Sequence, residues 1–314
     1  MMRLEGIVPP MATPLRGRDE LDVPGLERLV EHLISGGISG LFILGTTGEG
    51  PSLSYRLRRE LITYTGRFVR GRVKVLVGIT DTAFVESVGI ARHAAEAGAD
   101  AVVLAPPYYI PEGQPELLEY LHHIVPELPV PVYLYNMPSL TKVVIEPDTV
   151  RRAMEEPRIL GLKDSSGDMH YFNQLCSLLP QRPDWSLLIG KEELLAGATL
   201  AGGTGGVPGG ANLFPRLYVA LFEAAAKGDL SRAHILQGKV SEVADQLYRV
   251  GRHPSAFIKG IKCALSCTAI CDDFMAEPFH RFLPPERNRI AESVSELSQT
   301  IDALLQVDPG RATA

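Results

Sequence analysis

The chain has 314 residues, a length that suits one large α/β domain with an extension, or two ordinary domains. Hydrophobic residues make up 45% of it and charged residues 22%, which is typical of globular proteins and argues against disorder. The net charge of −6 leaves no basic surplus to neutralise phosphates, so we expect no nucleic-acid partner. Four cysteines are too few for a disulfide framework. The first residues lack the apolar core of a signal peptide, and no apolar stretch approaches about 18 residues. We therefore expect a cytoplasmic protein without membrane association.

Short apolar segments alternate with longer amphipathic segments eight times along the chain. The predicted strands cover residues 8–13, 40–45, 73–79, 100–104, 131–135, 158–163, 185–189 and 203–207. The predicted helices between and after them cover residues 23–36, a segment beginning at Ser54, and residues 83–97, 115–125, 147–154, 169–179, 192–200 and 214–226. Glu60 and several arginines form the predicted polar face of the helix after Ser54. Three further helical stretches, 230–250, 254–268 and 286–305, end the chain.

The continuously apolar strands indicate a parallel sheet that is buried on both faces. Eight β–α units match the strand count of a closed (β/α)₈ barrel. We therefore predict an α/β protein with a (β/α)₈ TIM barrel over residues 1–227. Residues 228–314 are predicted to form a C-terminal helical extension packed on the barrel. An open doubly wound sheet is the alternative, although such sheets usually have fewer strands.

Lys163 is the most informative residue at a predicted strand end, where the active site of a barrel enzyme lies. The chain has only eight lysines among its 31 lysines and arginines, and most of them lie where a solvated charge is expected. Lys163 instead ends the apolar run 159–162. Burial disfavours the ammonium form unless it is paired, and a neutral amine is what Schiff-base catalysis requires. The alternative is a structural lysine paired with Asp164 or with a neighbouring loop.

Two loops and three cysteines allow further interpretations. The turn 45–48 carries the hydroxyls of Thr46 and Thr47 and several backbone N–H groups, which can hold a carboxylate; an ordinary loop is the alternative. Neither this turn nor the glycine-rich segment 202–210 has the Gly-Lys-[Ser/Thr] ending of a P-loop. A phosphate site at segment 202–210 stays an alternative, because barrels often bind phosphate after strands seven and eight. The cysteines at positions 263, 267 and 271 include no CxxC pair, and the histidines form no HxH or HExxH cluster. We expect small buried thiols and no metal site.

Four motifs, each at a predicted strand end, identify a family resemblance that covers almost the whole chain. They are Gly-Thr-Thr-Gly-Glu at 45–49, Pro-Tyr-Tyr at 107–109, Tyr-Leu-Tyr-Asn-Met-Pro at 133–138 and Gly-Leu-Lys-Asp-Ser-Ser-Gly-Asp at 161–168. In this order they resemble the pyruvate-dependent class I aldolases of the dihydrodipicolinate synthase and N-acetylneuraminate lyase superfamily. The last motif also looks like that of 2-keto-3-deoxy sugar-acid and 4-hydroxy-2-oxoglutarate aldolases.

The resemblance implies roles for five residues. Lys163 would form an imine with the keto carbon of pyruvate, and Tyr135 would relay protons to and from that centre. Thr46 and Thr47 would bind the pyruvate carboxylate. Tyr109 would reach into the site of a neighbouring subunit and complete a Tyr–Thr–Tyr relay, which implies a homo-oligomer, either a dimer or a tetramer.

The resemblance also implies that Gly190 and Val207 line the pocket.

One position departs from the pattern of dihydrodipicolinate synthases. That pattern implies an arginine five residues after the catalytic tyrosine, where it would hold the carboxylate of the second substrate. That position is Leu140 in this chain, which removes a bidentate carboxylate partner, and nearby Lys142 is a poor substitute.

An acidic pair lies where neuraminate lyases hold sugar hydroxyls. Glu192 and Glu193 are therefore candidate substrate-binding residues. The alternative is a negatively charged first helical turn that the helix dipole favours.

We therefore predict an enzyme that makes or breaks a C–C bond through a lysine–pyruvate imine, without a cofactor or metal. The preferred substrate is a 2-keto-3-deoxy sugar acid or a similar hydroxylated 2-keto acid. A synthase that condenses pyruvate with aspartate semialdehyde is the first alternative. A 2-keto-acid dehydratase and a non-catalytic metabolite-binding barrel follow. The aldehyde partner and the direction of flux stay open.

Overall fold

The computed structural model describes residues 3–251 and 253–306. Ten strands occur in chain order within these residues. They are β1 (Gly6–Ile7), β2 (Leu15–Gly17), β3 (Glu20–Leu21), β4 (Gly40–Ile43), β5 (Lys74–Gly78), β6 (Ala101–Leu104), β7 (Val132–Asn136), β8 (Ile159–Asp164), β9 (Ser186–Ile189) and β10 (Gly205–Gly206).

Twelve α-helices lie between and after the strands of the described residues. They are α1 (Val23–Ser35), α2 (Tyr55–Val69), α3 (Phe84–Glu96), α4 (Gln114–Ile124), α5 (Pro138–Thr141), α6 (Pro147–Ala153), α7 (Met169–Cys176), α8 (Leu195–Leu200), α9 (Pro215–Ala226), α10 (Leu230–Tyr248), α11 (Ala256–Cys267) and α12 (Pro284–Gln306). In the described part of the chain, no helix combines the length and the apolarity needed to cross a bilayer.

Eight of the strands form one parallel sheet in the order β1-β10-β9-β8-β7-β6-β5-β4. The chain just after β1 meets β4 and closes the sheet into a barrel. A parallel bridge joins Pro10 to Phe42, whose N–H donates to the Pro9 carbonyl at 3.0 Å and whose carbonyl accepts from the Met11 N–H at 2.9 Å. The predicted (β/α)₈ barrel is therefore confirmed, and the carboxyl ends of its strands meet at one rim.

The first strand differs from the prediction. Its regular pairing lies at Gly6–Ile7 rather than over residues 8–13. Pro9 and Pro10 supply no N–H to a ladder, so regular pairing stops before them. The antiparallel pair β2–β3 follows and was not predicted.

Two apolar clusters hold the barrel together. The larger lies between the strands and the surrounding helices. The smaller fills the barrel interior with the inward side chains of the strands. Its members are Leu4, Val8, Phe42, Leu76, Ala101, Val103, Ala105, Tyr133, Tyr135, Leu160, Leu188 and Val207.

Three helices follow the last barrel helix, α9. Of these, α10 packs against α8, α9 and α11, and α12 packs against α10 and α11. These helices lie where the C-terminal extension was predicted, and the boundary at residue 228 stays a prediction. Residues 307–314 of the predicted extension lie outside the described residues.

Candidate active site

Lys163 projects into the barrel at the carboxyl end of β8, because Leu162 and Asp164 on either side face outward. Its side chain is buried, and its Nζ lies 4.1 Å from the centroid of the Tyr135 ring and 4.9 Å from that of Phe42. An ammonium group over two aromatic faces is held by cation–π attraction. The amine is therefore aimed at the rim of the barrel and kept out of bulk water.

The alternative pairing of Lys163 with Asp164 does not occur. Asp164 accepts hydrogen bonds from Asn136 Nδ2 at 2.8 Å and from the Ser166 N–H and hydroxyl at 3.0 and 2.9 Å. None of the ion pairs formed within residues 3–251 and 253–306 involves Lys163. Burial raises the pKa of the Asp164 carboxyl, although its hydrogen bonds oppose that effect.

Tyr135 connects the lysine with the threonine loop. Its hydroxyl lies 3.3 Å from the Thr46 hydroxyl. Burial acts to raise the pKa of Tyr135, but the charge of Lys163 and interactions with Thr46 and Ser165 outweigh it, so the pKa lies below that of an ordinary tyrosine. A tyrosine with a lowered pKa beside an amine is suited to exchange protons with it.

The Thr46–Thr47 turn is compact and rests on fixed backbone contacts. The Glu49 N–H donates to the Thr46 carbonyl at 3.1 Å, and the Thr13 hydroxyl donates to the Gly48 carbonyl at 2.6 Å. Thr47 is buried, and Thr46 is half-buried beside Tyr135. Of the two threonines, Thr46 lines the cavity at the barrel rim, whereas Thr47 does not.

A cavity of about 250 Å³ opens at this rim. Thr46, Tyr135 and Phe42 belong to its wall, whereas Lys163 lies against two of these rings without lining the cavity itself. The rest of the wall is largely apolar and comes from strand ends, loops and two helices of the first half of the chain. Those residues are Leu44, Gly45, Gly50, Pro51, Arg58, Gly78, Thr80, Val103, Ala105, Tyr108, Met137, Leu140 and Thr141.

Arg58 in this wall lies on α2, apart from the polar face that Glu60 and several arginines of this helix were predicted to form. Its side chain is about 10% exposed and forms an ion pair with buried Asp81 at 3.0 Å. It also donates to the carbonyls of Leu53 and Pro51 at 3.1 and 3.3 Å. The guanidinium is therefore engaged by the protein. The helical spacing 58, 61, 62, 65 and 69 was the signal for its burial.

Leu140 lies in the cavity wall on the one-turn helix α5, and about half of its surface is exposed. It offers an apolar surface at the point where the synthase pattern has an arginine. Lys142 does not replace that arginine, because its Nζ donates to the Ser139 carbonyl at 2.9 Å.

Gly190 lies directly against the lysine. A Cβ atom at this position would stand 2.0 Å from Ser165 Oγ and 3.1 Å from Lys163 Cε, so only glycine leaves these side chains their space. Val207 is buried in the barrel interior with Tyr135. Ser165, which also interacts with Tyr135, was not singled out from the sequence.

The two acidic candidates have different surroundings. Glu192 is buried, and its carboxylate accepts hydrogen bonds from the Gly210 N–H at 2.9 Å and from Tyr218 and Tyr248 at 2.7 Å each. Burial raises its pKa, against the effect of these donors. Glu192 therefore binds the loop after β10, while Glu193 is exposed.

Tyr109 points away from the site of its own chain. It is 93% exposed, has a φ of 91° and does not line the cavity. A positive φ is unusual for a bulky residue. Its neighbour Ile110 is also exposed.

Lys262 is a second buried lysine, which the sequence reasoning missed. Its signal was the same as that of Lys163, a single lysine within the apolar run 260–265.

Of the three cysteines near the C-terminus, Cys263 and Cys271 are buried and Cys267 is half-buried. Burial raises the pKa of the Cys263 and Cys271 thiols to about 12. Within residues 3–251 and 253–306, no group of three or more His, Cys, Asp or Glu side chains is placed to hold a metal ion.

Comparison with known proteins agrees with this geometry. The model of the dihydrodipicolinate synthetase family matches residues 3–297. The probable 2-dehydro-3-deoxy-D-pentonate aldolase YjhH of Escherichia coli (strain K12) is 31% identical over 308 residues, which cover 97% of each chain.

Two solved structures share the fold. A dihydrodipicolinate synthase from Bacteroides thetaiotaomicron superimposes with a TM-score of 0.92 at 51% identity, covering 94% of this chain and 99% of that one. YagE of E. coli K12, solved in complex with pyruvate, gives a TM-score of 0.87 at 28% identity and covers 94% and 98% of the two chains.

Proposed function

Because this chain belongs to the dihydrodipicolinate synthetase family and is a class I, Schiff-base-forming lyase, we propose that it cleaves a hydroxylated 2-keto acid to pyruvate and an aldehyde. The substrate class is a 2-keto-3-deoxy sugar acid or a close relative. The observation that carries the proposal is the alignment of the Lys163 amine, the Tyr135 ring and the Thr46 hydroxyl at one barrel rim.

The first step joins the substrate to Lys163. The hydroxyls and backbone N–H groups of the Thr46–Thr47 turn bind the carboxylate, which places the C2 carbonyl beside the amine. Tyr135, acting as its phenolate, takes a proton from the lysine, and the free amine attacks C2. A proton then moves from the nitrogen to the C2 oxygen to give a carbinolamine. Tyr135 then returns a proton to the departing hydroxyl, so water leaves and a protonated imine forms.

The second step breaks the C3–C4 bond. The C4 hydroxyl loses its proton to Tyr135, the aldehyde carbonyl forms, and the C3–C4 electron pair moves into the iminium to give an enamine. After the aldehyde leaves, Tyr135 delivers that proton to C3, and water hydrolyses the resulting imine. Pyruvate and the free amine of Lys163 are released, so the cycle needs no oxidant or reductant.

The side chain at position 140 separates the two leading substrate classes. Leu140 offers no charge to the carboxylate of aspartate semialdehyde, and the guanidinium of Arg58 is already engaged by Asp81 and two carbonyls. Both facts favour cleavage of a hydroxylated 2-keto acid. The 51% identity to a structure named dihydrodipicolinate synthase supports the synthase as the second candidate.

Borohydride trapping tests the imine. Reduction in the presence of pyruvate is expected to add one pyruvate-derived mass to the peptide that contains Lys163. Lys262 provides an internal comparison, because it is buried yet bound to Glu49. Labelling of another lysine, or of none in an active enzyme, would refute the role of Lys163.

A panel of 2-keto acids assayed for pyruvate release then identifies the substrate.

We also propose that the enzyme works as a homo-oligomer in which Tyr109 serves a neighbouring site. Its nearly complete exposure beside exposed Ile110 supports this, since two large exposed hydrophobic side chains are suited to contact a second copy. Sedimentation at micromolar concentration is expected to show at least a dimer. A fully active monomer would contradict this role.

A further inference from the structure

The turn that carries Thr46 and Thr47 is joined to the C-terminal helices by a buried ion pair. Lys262 lies on α11, and its Nζ is 2.7 Å from Oε2 of Glu49; both side chains are fully buried. The other carboxylate oxygen of Glu49 accepts the Ala276 N–H at 2.8 Å. Two separate segments of the C-terminal region therefore converge on the residue that ends the threonine turn.

A buried ion pair of this kind adds little net stability to a protein. Removing two charges from water has a cost that their attraction often only balances, and well-packed apolar residues frequently do as well. Glu49 also has a φ of 55°, in the left-handed region that disfavours side chains with a Cβ. A backbone conformation of this kind persists only where the surroundings hold it, and here the side-chain contacts of Glu49 do so.

A short series of contacts connects the ion pair with the reacting groups. The backbone N–H of Glu49 donates to the carbonyl of Thr46 at 3.1 Å. The Thr46 hydroxyl in turn lies 3.3 Å from the Tyr135 hydroxyl. Displacement of Glu49 would therefore move the hydroxyl that contacts Tyr135 and the N–H groups that face the substrate carboxylate.

We propose that Glu49 and Lys262 are positioning residues, which fix the Thr46–Thr47 turn so that it binds the carboxylate of the 2-keto acid. The C-terminal helices then contribute to the site, because α11 supplies the Lys262 ammonium group that holds the Thr46–Thr47 turn in position through Glu49. This inference rests on the proposed function, in which that turn binds the carboxylate.

The test removes the pair without leaving a buried charge. Glu49→Gln combined with Lys262→Met keeps the side-chain volumes close to the original and leaves a carbonyl oxygen for the Ala276 N–H. The readout is the pyruvate concentration that gives half-maximal borohydride trapping at Lys163. We expect it to rise about tenfold or more, and the KM for the 2-keto acid to rise with it.

Asp273→Asn is the matched control. Asp273 is also buried in the C-terminal region and pairs with the partly exposed Arg281 and Arg287, so the variant loses ion pairs of the same region and some thermal stability. Its half-saturation is expected to stay within about twofold of wild type. Adding Thr46→Val to the double variant is expected to raise the half-saturation by less than the product of the separate effects, because both changes act through one hydroxyl.

Unchanged half-saturation in a folded double variant would overturn the positioning role while leaving the imine at Lys163 intact. An equal shift in Asp273→Asn would overturn it as well, since general loosening of the C-terminal helices would then suffice. Absence of any label in the active wild type would instead refute the proposed function. If the double variant does not fold, Glu49→Asp, which keeps both charges but shortens the reach of the carboxylate to Lys262, is judged by the same criterion.

Discussion

Tyr135 and Lys163 are register partners on the adjacent parallel strands β7 and β8. Both side chains point into the barrel at the same level, which brings the lysine Nζ to 4.1 Å from the tyrosine ring centroid. The paired strands therefore align Lys163 with Tyr135, the nucleophile and the acid–base group of the proposed mechanism, before any substrate binds. Such preorganisation lowers the cost of reaching the reactive geometry.

Tyr135→Phe is expected to lower kcat by about 10²- to 10⁴-fold, the usual contribution of one acid–base group. The ring that packs against Lys163 stays, so borohydride should still label Lys163 after long incubation with pyruvate. Tyr133→Phe is the control, because Tyr133 also lies inside the barrel but its hydroxyl is 3.5 Å from Ser186 Oγ. Steady-state rates near wild type in Tyr135→Phe would contradict the relay.

Leu140→Arg is expected to move the enzyme toward the synthase reaction. A charge-assisted hydrogen bond contributes about 1.5–3 kcal/mol, so condensation with aspartate semialdehyde should gain about ten- to a hundredfold relative to aldol cleavage. The measurement is kcat/KM for both reactions, with Leu140→Gln as the polar but uncharged control. Efficient condensation by the wild type, with an unchanged ratio in Leu140→Arg, would favour the synthase instead.

Gly190→Ala is expected to reduce activity by about a hundredfold, because a displacement of reacting groups by roughly 1 Å has effects of that size. The new methyl group would collide with Ser165 Oγ at 2.0 Å and press on Lys163 Cε at 3.1 Å. Gly197→Ala on α8 is the matched control, since nothing lies within 4 Å of its added Cβ. The control should keep full activity and gain up to about 1 kcal/mol of stability. Equal activity of both variants would contradict the prediction, because it would show that a methyl group at position 190 does not displace Lys163.

Glu192 makes stability depend on pH in a predictable direction. Burial raises its pKa above the ordinary value of 4.5, so its contribution to folding is fully present below pH 4.5 and is lost as the pH rises through the raised pKa. Glu192→Gln does not titrate. The wild type should therefore lose stability relative to this variant as the pH increases from 4.5, which denaturant unfolding at several pH values will measure.

A second variant checks the cause of that pH dependence. Tyr248→Phe removes one of the hydroxyl groups that donate to the Glu192 carboxylate. The pKa of Glu192 should then rise further, and the loss of stability should extend to higher pH. A stability difference that is flat or of opposite sign across this range would show that Glu192 stays charged in the folded protein.

Local sequence patterns were sufficient for the barrel, and they singled out Lys163 as a candidate for the site. Apolar strands and amphipathic helices repeat with periods that can be counted, and eight repeats specify a closed parallel barrel. Lys163 was singled out because it ends such a strand, and strand ends of a barrel face the site. The role of Tyr135 was implied by the family resemblance and stays a prediction. The irregular first strand was placed two residues too late, because its prolines interrupt the ladder.

Contacts between distant segments were decided only by the tertiary structure. Lys262 and Glu49 are 213 positions apart, so no local period relates them, and a lysine on a helix is normally solvated. Glu192 likewise meets Tyr218 and Tyr248 only after α9 and α10 have packed. The hydrophobic periodicity of a segment indicates which of its faces is buried. Which charged group or hydroxyl contacts that face depends on the packing of the whole barrel, because the contacting residue comes from another element.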